Sequence, residues 1–418
     1  MRKTLLILIV ISTSLVFILR LYYLQVYATE PYSIYEDNAI RKVFTYPKRG
    51  YIYDRNNNLL VSNQPSYDVM IIPGLVKELD TTEFCKLLKI SKDYFDNKIE
   101  RTKRYSTRIP SVFLAHLSKE DYGFLAEKIR KYDGFYIQKR NLRQYNTTIG
   151  ANVLGYVAEV NRSNLEKDNY YSQGDIIGKQ GVELSYEKYL RGEKGIKFIQ
   201  KDRFNRDIGS FNDGLNDINS IAGNDLTITI DSELQEYGEL LMSNKKGAIV
   251  AIEPSSGELL TLVSAPSYNP NLLVGRERSK NYFELYQDSI YKPLLDKGLL
   301  STFPAGSPFK VIVGLIALEE EVISEKSTIF CKGQYIYGRN KKSMKCHCGG
   351  GYRNIYNAIS ESCNSYFADI YRKTISKNNE ISDNFNSWSE SVKSFGLGNY
   401  LNNDLPIGKK GMIPTSEF

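Results

Sequence analysis

The apolar residues divide the chain before any motif is considered. From Thr4 to Leu19 no charge interrupts the sequence; Arg20 follows, and Leu21 to Leu24 extend the apolar patch. A run of this length predicts one helix able to cross a bilayer core of about 30 Å, with Arg20 snorkelling to the interface. Arg2 and Lys3 precede it, which by the positive-inside bias places the N-terminus in the cytoplasm and the rest outside. A cleaved leader is the competing reading, but bulky Leu21, Tyr22, Tyr23 and Leu24 stand where small cleavage-site residues belong. No later stretch is long and apolar enough to span, so the pattern describes a single-pass anchor carrying a large outer part.

Downstream the period changes repeatedly. Residues 41–80 alternate as strands around an Asn-rich turn at Asn56–Asn58 and stop at Pro73-Gly74. Residues 81–135 carry a helical, charged pattern. Short strands are expected over 136–220, including GANVLGYVAEVN and GKQGVELSYEKYLRGEKG, and Asp207–Gly223 reads as a loop joining two bodies. From Asp225, LTITID alternates with period two and SELQEYGELLMSN is helical. GAIVAIEPSSGELLTLVSAP then predicts a β-hairpin about Pro-Ser-Ser-Gly. An apolar helix follows from Ser307, burying Val311, Ile312, Leu315, Ile316 and Leu318, and a further helix is expected over 354–374.

Composition changes this picture little. With 418 residues, two or three domains are expected, and 42% hydrophobic with 12% aromatic content supports true cores. The net charge of +7 is small for this length and is dispersed, which gives no electrostatic footprint for nucleic acid. The five cysteines, Cys85, Cys331, Cys346, Cys348 and Cys363, are odd in number and unevenly spaced, unlike a disulfide-stapled scaffold.

Candidate chemistry gathers near the apolar helix. Ser307-Pro308-Phe309-Lys310 puts a hydroxyl and an amine on neighbouring positions of one helix face, with Ser307 as the cap and Pro308 in the first turn. A lysine whose pKa is lowered by burial can take a serine's proton. The bare spacing is weak, since Ser185/Lys188, Ser243/Lys246 and Ser289/Lys292 share it. Ser362-Cys363-Asn364 adds weight, because its polar groups sit among Ile359, Tyr366, Phe367 and Ile370 and need partners there. Between the two motifs, Cys331, Cys346, His347 and Cys348 have the ligand types of a tetrahedral zinc site. A disulfide from Cys331 to Cys346 or Cys348, or free thiols, are the alternatives.

Ser-x-x-Lys followed by Ser-x-Asn resembles the signature of penicillin-recognising serine transpeptidases. RGYIYDRNNNLLVSNQPSYDV, the GYV of GANVLGYVAEVN, GKQGVELSYEKYLRG and GAIVAIEPSSGELLTLVSAPSYNPN likewise resemble class B penicillin-binding proteins of the elongation type. The resemblance implies an α+β fold: a transmembrane helix (1–26), a β-rich pedestal (27–220) with a helical insertion near 81–135, and a transpeptidase domain (221–418) of antiparallel sheet flanked by helices. It implies a D,D-transpeptidase that cross-links peptidoglycan stem peptides, is acylated by β-lactams and requires no cofactor. Ser307 becomes the acylated nucleophile, Lys310 its general base, Ser362 a proton relay and Asn364 a ligand of the substrate amide. A membrane glycan polymerase and other elongation proteins are the implied partners, at the cytoplasmic membrane with the bulk of the chain periplasmic.

The sequence departs from the family in one respect. The third motif, Lys-Thr/Ser-Gly on a strand, is missing after Asn364, and Lys410-Gly411 lies in a Gly-rich loop too close to Ser362. The expectation is therefore a catalytic domain without its C-terminal part, unable to acylate as given. Two other readings remain: a class D β-lactamase, which needs neither anchor nor pedestal, and a non-catalytic membrane scaffold for cell-wall synthesis proteins.

Overall fold

The computed structural model describes residues 2–23, 40–117, 119–202, 207–378, 380–401, 403–405 and 407–417. Two compact units emerge, residues 1–294 and 295–418. The chain opens on helix α1 (Arg2–Tyr22), whose 21 residues rise about 31 Å at 1.5 Å each. Its described apolar side chains, among them Leu8, Val16 and Phe17, are exposed. By length and composition it is the one described helix able to cross a membrane.

Beyond the anchor, the first unit is organised by strand pairing. β1 (Ile40–Thr45) and β2 (Ile52–Tyr53) precede the thirteen-residue β3 (Leu59–Ile71). The expected Asn-rich turn joins β2 to β3: Asp54 Oδ1 accepts the N–H groups of Asn56 and Asn58 at 2.9 and 2.7 Å. Asn57 takes φ 66° there, a conformation that Asn tolerates better than most residues. α2 (Thr81–Leu88), α3 (Lys92–Tyr105), β4 (Ser111–Leu117), α4 (Lys119–Lys128) and β5 (Phe135–Tyr145) follow. β5 runs antiparallel to β3 from Val61↔Tyr145 to Ile71↔Phe135. The other edge of β3 is shared by β2 at its start and β4 at its end.

The helical pattern over 81–135 is correct for α2, α3 and α4 but not for β4. That strand buries Phe113, Leu114 and Leu117 on β3, and two register irregularities spoil the alternation that would announce it. The helices close over the strands around Phe84, whose ring centroid lies 4.5 Å from Phe135, 4.8 Å from Tyr132 and 5.6 Å from Phe95. Asp80 starts α2 by accepting the N–H groups of Thr82 and Glu83 at 2.8 and 3.0 Å.

The strands expected over 136–220 are partly helices. The order is α5 (Ala151–Leu154), β6 (Val157–Glu159), α6 (Arg162–Lys167), β7 (Ile176–Gly178), α7 (Gly181–Ser185), α8 (Glu187–Leu190), β8 (Gly195–Lys201) and β9 (Asp207–Ser210). α7 and α8 are single turns, too short for periodicity to reveal, and a tertiary ion cluster selects them. Arg49 donates to Glu183 and Glu187 at 2.6 Å each, and Arg143 donates to Glu183 at 2.7 Å. Burial alone would raise the Glu183 carboxyl, but the Arg143 and Arg49 guanidiniums outweigh it and hold the group below the usual carboxylate range. Gly155 permits the close approach behind this cluster, since a Cβ there would lie 1.8 Å from the Gln180 carbonyl oxygen. β8 pairs antiparallel with both β1 and β9, so the expected loop from Asp207 begins as a strand.

β10 (Leu226–Thr227) pairs parallel with β2. α9 (Ser232–Leu241) then packs on the expected hairpin, β11 (Gly247–Ile252) and β12 (Leu259–Ala265). The buried Gln235 ties helix to strand, its Oε1 accepting from Thr261 Oγ1 at 2.6 Å and from the Leu262 N–H at 2.9 Å. α10 (Arg278–Gln287) is the last helix of this unit.

The second unit comprises α11 (Lys297–Leu300), α12 (Phe309–Glu319), β13 (Ile329–Cys331), β14 (Gln334–Tyr337), β15 (Lys342–Lys345), β16 (Gly351–Arg353), α13 (Ile355–Ser360), α14 (Asn364–Ile375) and α15 (Ile381–Ser394). α12 buries Val313, Ile316 and Ala317, whereas Val311 and Leu315, expected inside, are 45% and 46% exposed. Tyr366, Phe367 and Ile370 of α14 share the core with α12, and Trp388 of α15 meets Phe309 and Tyr371 edge-on. Gly314 allows the helices to close, because a Cβ would stand 3.3 Å from Ile355 and 3.5 Å from Phe367. The single helix expected over 354–374 is broken into α13 and α14 at Ser362, which takes φ 52°.

Candidate active site

That break and the start of α12 converge. Ser307 lies in the turn before α12, after Gly306 at φ 66°, and does not cap the helix: Pro308 is the cap residue and makes no side-chain bond. The Ser307 hydroxyl is instead engaged across the unit, accepting from Ser362 Oγ at 2.8 Å. Lys310, the second residue of α12, donates from Nζ to Ser362 Oγ at 2.9 Å, to the Ser362 carbonyl at 2.8 Å and to Asn364 Oδ1 at 2.6 Å. Lys310 therefore reaches Ser307 through Ser362, where the sequence pattern alone suggested direct neighbours. Asn364 Nδ2 donates to the Lys345 carbonyl at 2.9 Å, which fixes the amide's orientation.

All four residues named from the sequence thus meet. Ser307 and Ser362 are exposed, and Lys310 is partly buried. Burial lowers the Lys310 pKa, against the opposing pull of the Cys346, Cys363 and Cys348 thiols. The chain of hydroxyl and amine is short enough to move a proton from Ser307 to Lys310 once that amine is neutral.

The cysteines lie directly behind this site. The Sγ atoms of Cys331, Cys346, Cys348 and Cys363 fall within 4.8 Å of one another. Cys346 and Cys348 are 3.1 Å apart, Cys348 and Cys331 3.4 Å, and Cys346 and Cys363 3.6 Å. His347, expected among the ligands, is exposed and outside the group, because it stands between two cysteines that turn into the core. Cys363 takes the fourth place. Its signal was the sequence position inside the Ser-x-Asn motif, read only for the residues on either side. All five cysteines are free thiols. Burial alone would raise the Cys346 thiol, but backbone hydrogen bonds from Ser365 and Cys348 bring it down to about 5. Cys346 Sγ also accepts the Asn364 N–H at 3.2 Å, so the cluster grips the second motif directly.

Comparison with known proteins places the chain in a family. Residues 44–228 match the Penicillin-binding Protein dimerisation domain, and residues 247–418 match the Penicillin binding protein transpeptidase domain. The chain is 31% identical over 421 residues to the Peptidoglycan D,D-transpeptidase MrdA of Acinetobacter baumannii, covering 98% of this chain and 60% of that protein. The Escherichia coli K12 protein of the same name is 29% identical, with 96% of this chain and 63% of that protein covered. The chain thus spans about three-fifths of the length of these curated relatives. Among solved structures, the penicillin-binding protein (PBP2) of Helicobacter pylori, in complex with MreC, matches with a TM-score of 0.72 and 29% identity, over 90% of this chain and 69% of that one. With residues 44–228 matching the one domain and 247–418 the other, the chain belongs to the class B penicillin-binding proteins, which join a dimerisation domain to a transpeptidase domain.

Proposed function

Against the expectation that the chain cannot acylate as given, we propose that this protein is a peptidoglycan D,D-transpeptidase of cell-wall elongation, acting through an acyl-enzyme on Ser307. The observation that carries this reading is the bonded path Ser307–Ser362–Lys310. With Lys310 neutral, the proton of Ser307 Oγ passes to Ser362 Oγ while the proton of Ser362 passes to Lys310 Nζ. Ser307 Oγ then forms an ester with the donor stem peptide's carbonyl carbon, and the peptide C–N bond breaks. The departing amine takes a proton back along the same path. The amine of an acceptor stem peptide attacks the ester and frees Ser307. A β-lactam stops at the ester. Asn364 Oδ1 holds Lys310 and keeps a second lone pair for an N–H of the substrate amide.

Treatment of membranes bearing the native protein with a fluorescent penicillin tests the reading. A labelled band that disappears in Ser307→Ala supports it; a band that persists in that variant refutes the assignment of Ser307.

The four thiols fit a zinc ion. Tetrahedral zinc with Zn–S bonds of about 2.3 Å separates its sulfurs by roughly 3.8 Å; three of the spacings here are 3.1, 3.4 and 3.6 Å, and all four sulfurs lie within 4.8 Å of one another. Cys331, Cys346, Cys348 and Cys363 would hold the ion as a structural clamp beneath Ser362 and Asn364. Metal analysis of protein purified without chelators should find about one zinc per chain, lost in Cys331→Ser. A metal-free protein with disulfide-linked cysteines would overturn it. The anchor helix is assigned to the cytoplasmic membrane with the remainder extracytoplasmic. There a membrane glycan polymerase and elongation proteins, MreC among them, are the proposed partners, supported by the Helicobacter pylori neighbour's complex.

A further inference from the structure

The first unit contains a cavity of about 80 Å³ that the acyl-transfer chemistry does not use. That space holds several water-sized groups. Its wall carries five cations, Arg49, Arg140, Arg143, Arg191 and Lys194, and one carboxylate, Asp175. Carboxylates do balance these cations, but most stand behind them. Glu183 and Glu187 hold Arg49, Glu183 also holds Arg143, and Asp168 holds Arg191 at 2.8 Å. Asp68 lies 3.2 Å from Arg140. None of those four carboxylates lines the space. The surface offered to a ligand is therefore positive.

Aromatic rings keep the cations in place. Arg140 lies 4.1 Å from the Tyr46 ring centroid, Arg191 3.8 Å and Lys194 4.7 Å from that of Tyr170. Burial pushes both tyrosine hydroxyls up to about 12, so they remain neutral donors.

Three polar atoms of the wall residues lack a hydrogen-bond partner; one is Arg140 Nε, which stands 3.2 Å from Asp68 Oδ2 in their ion pair. Arg143, 2% exposed, donates through Nε to Glu183 at 2.7 Å and through Nη1 to Asn63 Oδ1 at 3.0 Å, while Nη2 is buried without a partner. Asp175, 3% exposed, accepts through Oδ2 from the Ser172 N–H and from Lys194 and interacts with the Tyr46 hydroxyl, while Oδ1 is buried without a well-aligned hydrogen-bond partner. A cationic cavity whose wall residues leave two donors and one acceptor without a hydrogen bond asks for an anion that both accepts and donates. A carboxylate cannot donate at neutral pH; a singly protonated phosphate can. We propose that this cavity in the dimerisation domain binds a phosphate group, as the free ion or a monoester, with Arg143 donating to a phosphoryl oxygen and Asp175 accepting from a P–O–H.

Such a ligand would join β5, which supplies Arg140 and Arg143, to the segment carrying Arg191 and Lys194 ahead of β8. Thermal unfolding of the full chain in a zwitterionic buffer at neutral pH tests this. Sodium phosphate is titrated against sodium chloride at matched ionic strength, with sodium acetate and glycerol phosphate as further arms. A saturable rise in Tm with phosphate beyond the chloride response is expected. The apparent affinity should be about tenfold weaker in Arg191→Gln, whose lost contact corresponds to one such step. A response to inorganic phosphate alone assigns a free ion, and an equal response to glycerol phosphate assigns a monoester. Phosphate matching chloride means that the cavity holds water only, and the proposal fails. It fails equally if acetate matches phosphate or if folded Arg191→Gln binds as the parent does. Should Arg191→Gln not fold, Lys194→Gln serves in its place, and the parent titration decides alone if neither folds.

Discussion

Ser362 occupies a left-handed backbone conformation, φ 52°, which costs a non-glycine residue on the order of 1–2 kcal/mol. The strain is tolerated because that conformation turns the hydroxyl between Ser307 and Lys310. If Ser362 carries the proton, Ser362→Ala should slow penicillin acylation by about 100-fold or more while leaving Ser307 in place, as timed labelling would show. The amine must be neutral to accept, and burial lowers its pKa. Acylation should therefore rise with pH and level off below the range where an ordinary lysine titrates, near 10.4. In Lys310→Arg the rise should vanish, since a guanidinium stays protonated throughout. Rate–pH profiles of the two proteins check this. The sequence placed Ser307 and Lys310 one helical turn apart and read them as a direct pair. It could not show that Ser362 stands between them, because that depends on where a chain segment 52 residues further on returns.

At the scale of elements, packing overrides pattern where segments are short. Periodicity is enough for α2, α3, the β11–β12 hairpin and α12, each long enough to repeat its period. It fails for β4, whose bulged register breaks alternation, and for α7 and α8, single turns chosen by Arg49 and Arg143. Glu183 is the hinge of that choice. Glu183→Gln should destabilise the first unit by about 3–5 kcal/mol, because two buried guanidiniums lose their shared partner. Thermal or denaturant unfolding of the full chain measures this. The carboxyl is held below its ordinary pKa, so its contribution is complete above the usual carboxylate range and disappears as pH falls through the lowered value. Phe84→Ala should cost a similar amount, about 3–5 kcal/mol, as four aromatic neighbours lose their common contact.

For the molecule as a whole, α1 is separable: its described side chains are exposed and belong to none of the cores formed by the described residues around Phe84, Tyr366, Tyr268 and Trp388. Removal of residues 1–26 should release the protein from the membrane fraction while leaving its melting transition within about 0.5 kcal/mol of the parent, the usual effect of changes outside any core. Fractionation and thermal unfolding check the two halves of this statement. The compact division at Leu294/Leu295 differs from the family boundary, for the transpeptidase match begins at residue 247. The β11–β12 hairpin contributes its contacts to α9, within the first unit. The apolar N-terminal helix, the alternation of strands and helices, and the Ser-x-x-Lys and Ser-x-Asn motifs were determined by the sequence itself, because each rests on residues near one another in the chain. Tertiary structure alone decided that Ser362 stands hydrogen-bonded between Ser307 and Lys310, that Cys363 and not His347 gathers with Cys331, Cys346 and Cys348, and that a cationic cavity forms near Arg143. Each of these is an encounter between distant segments, and its distances are set by how the cores close rather than by spacing along the chain.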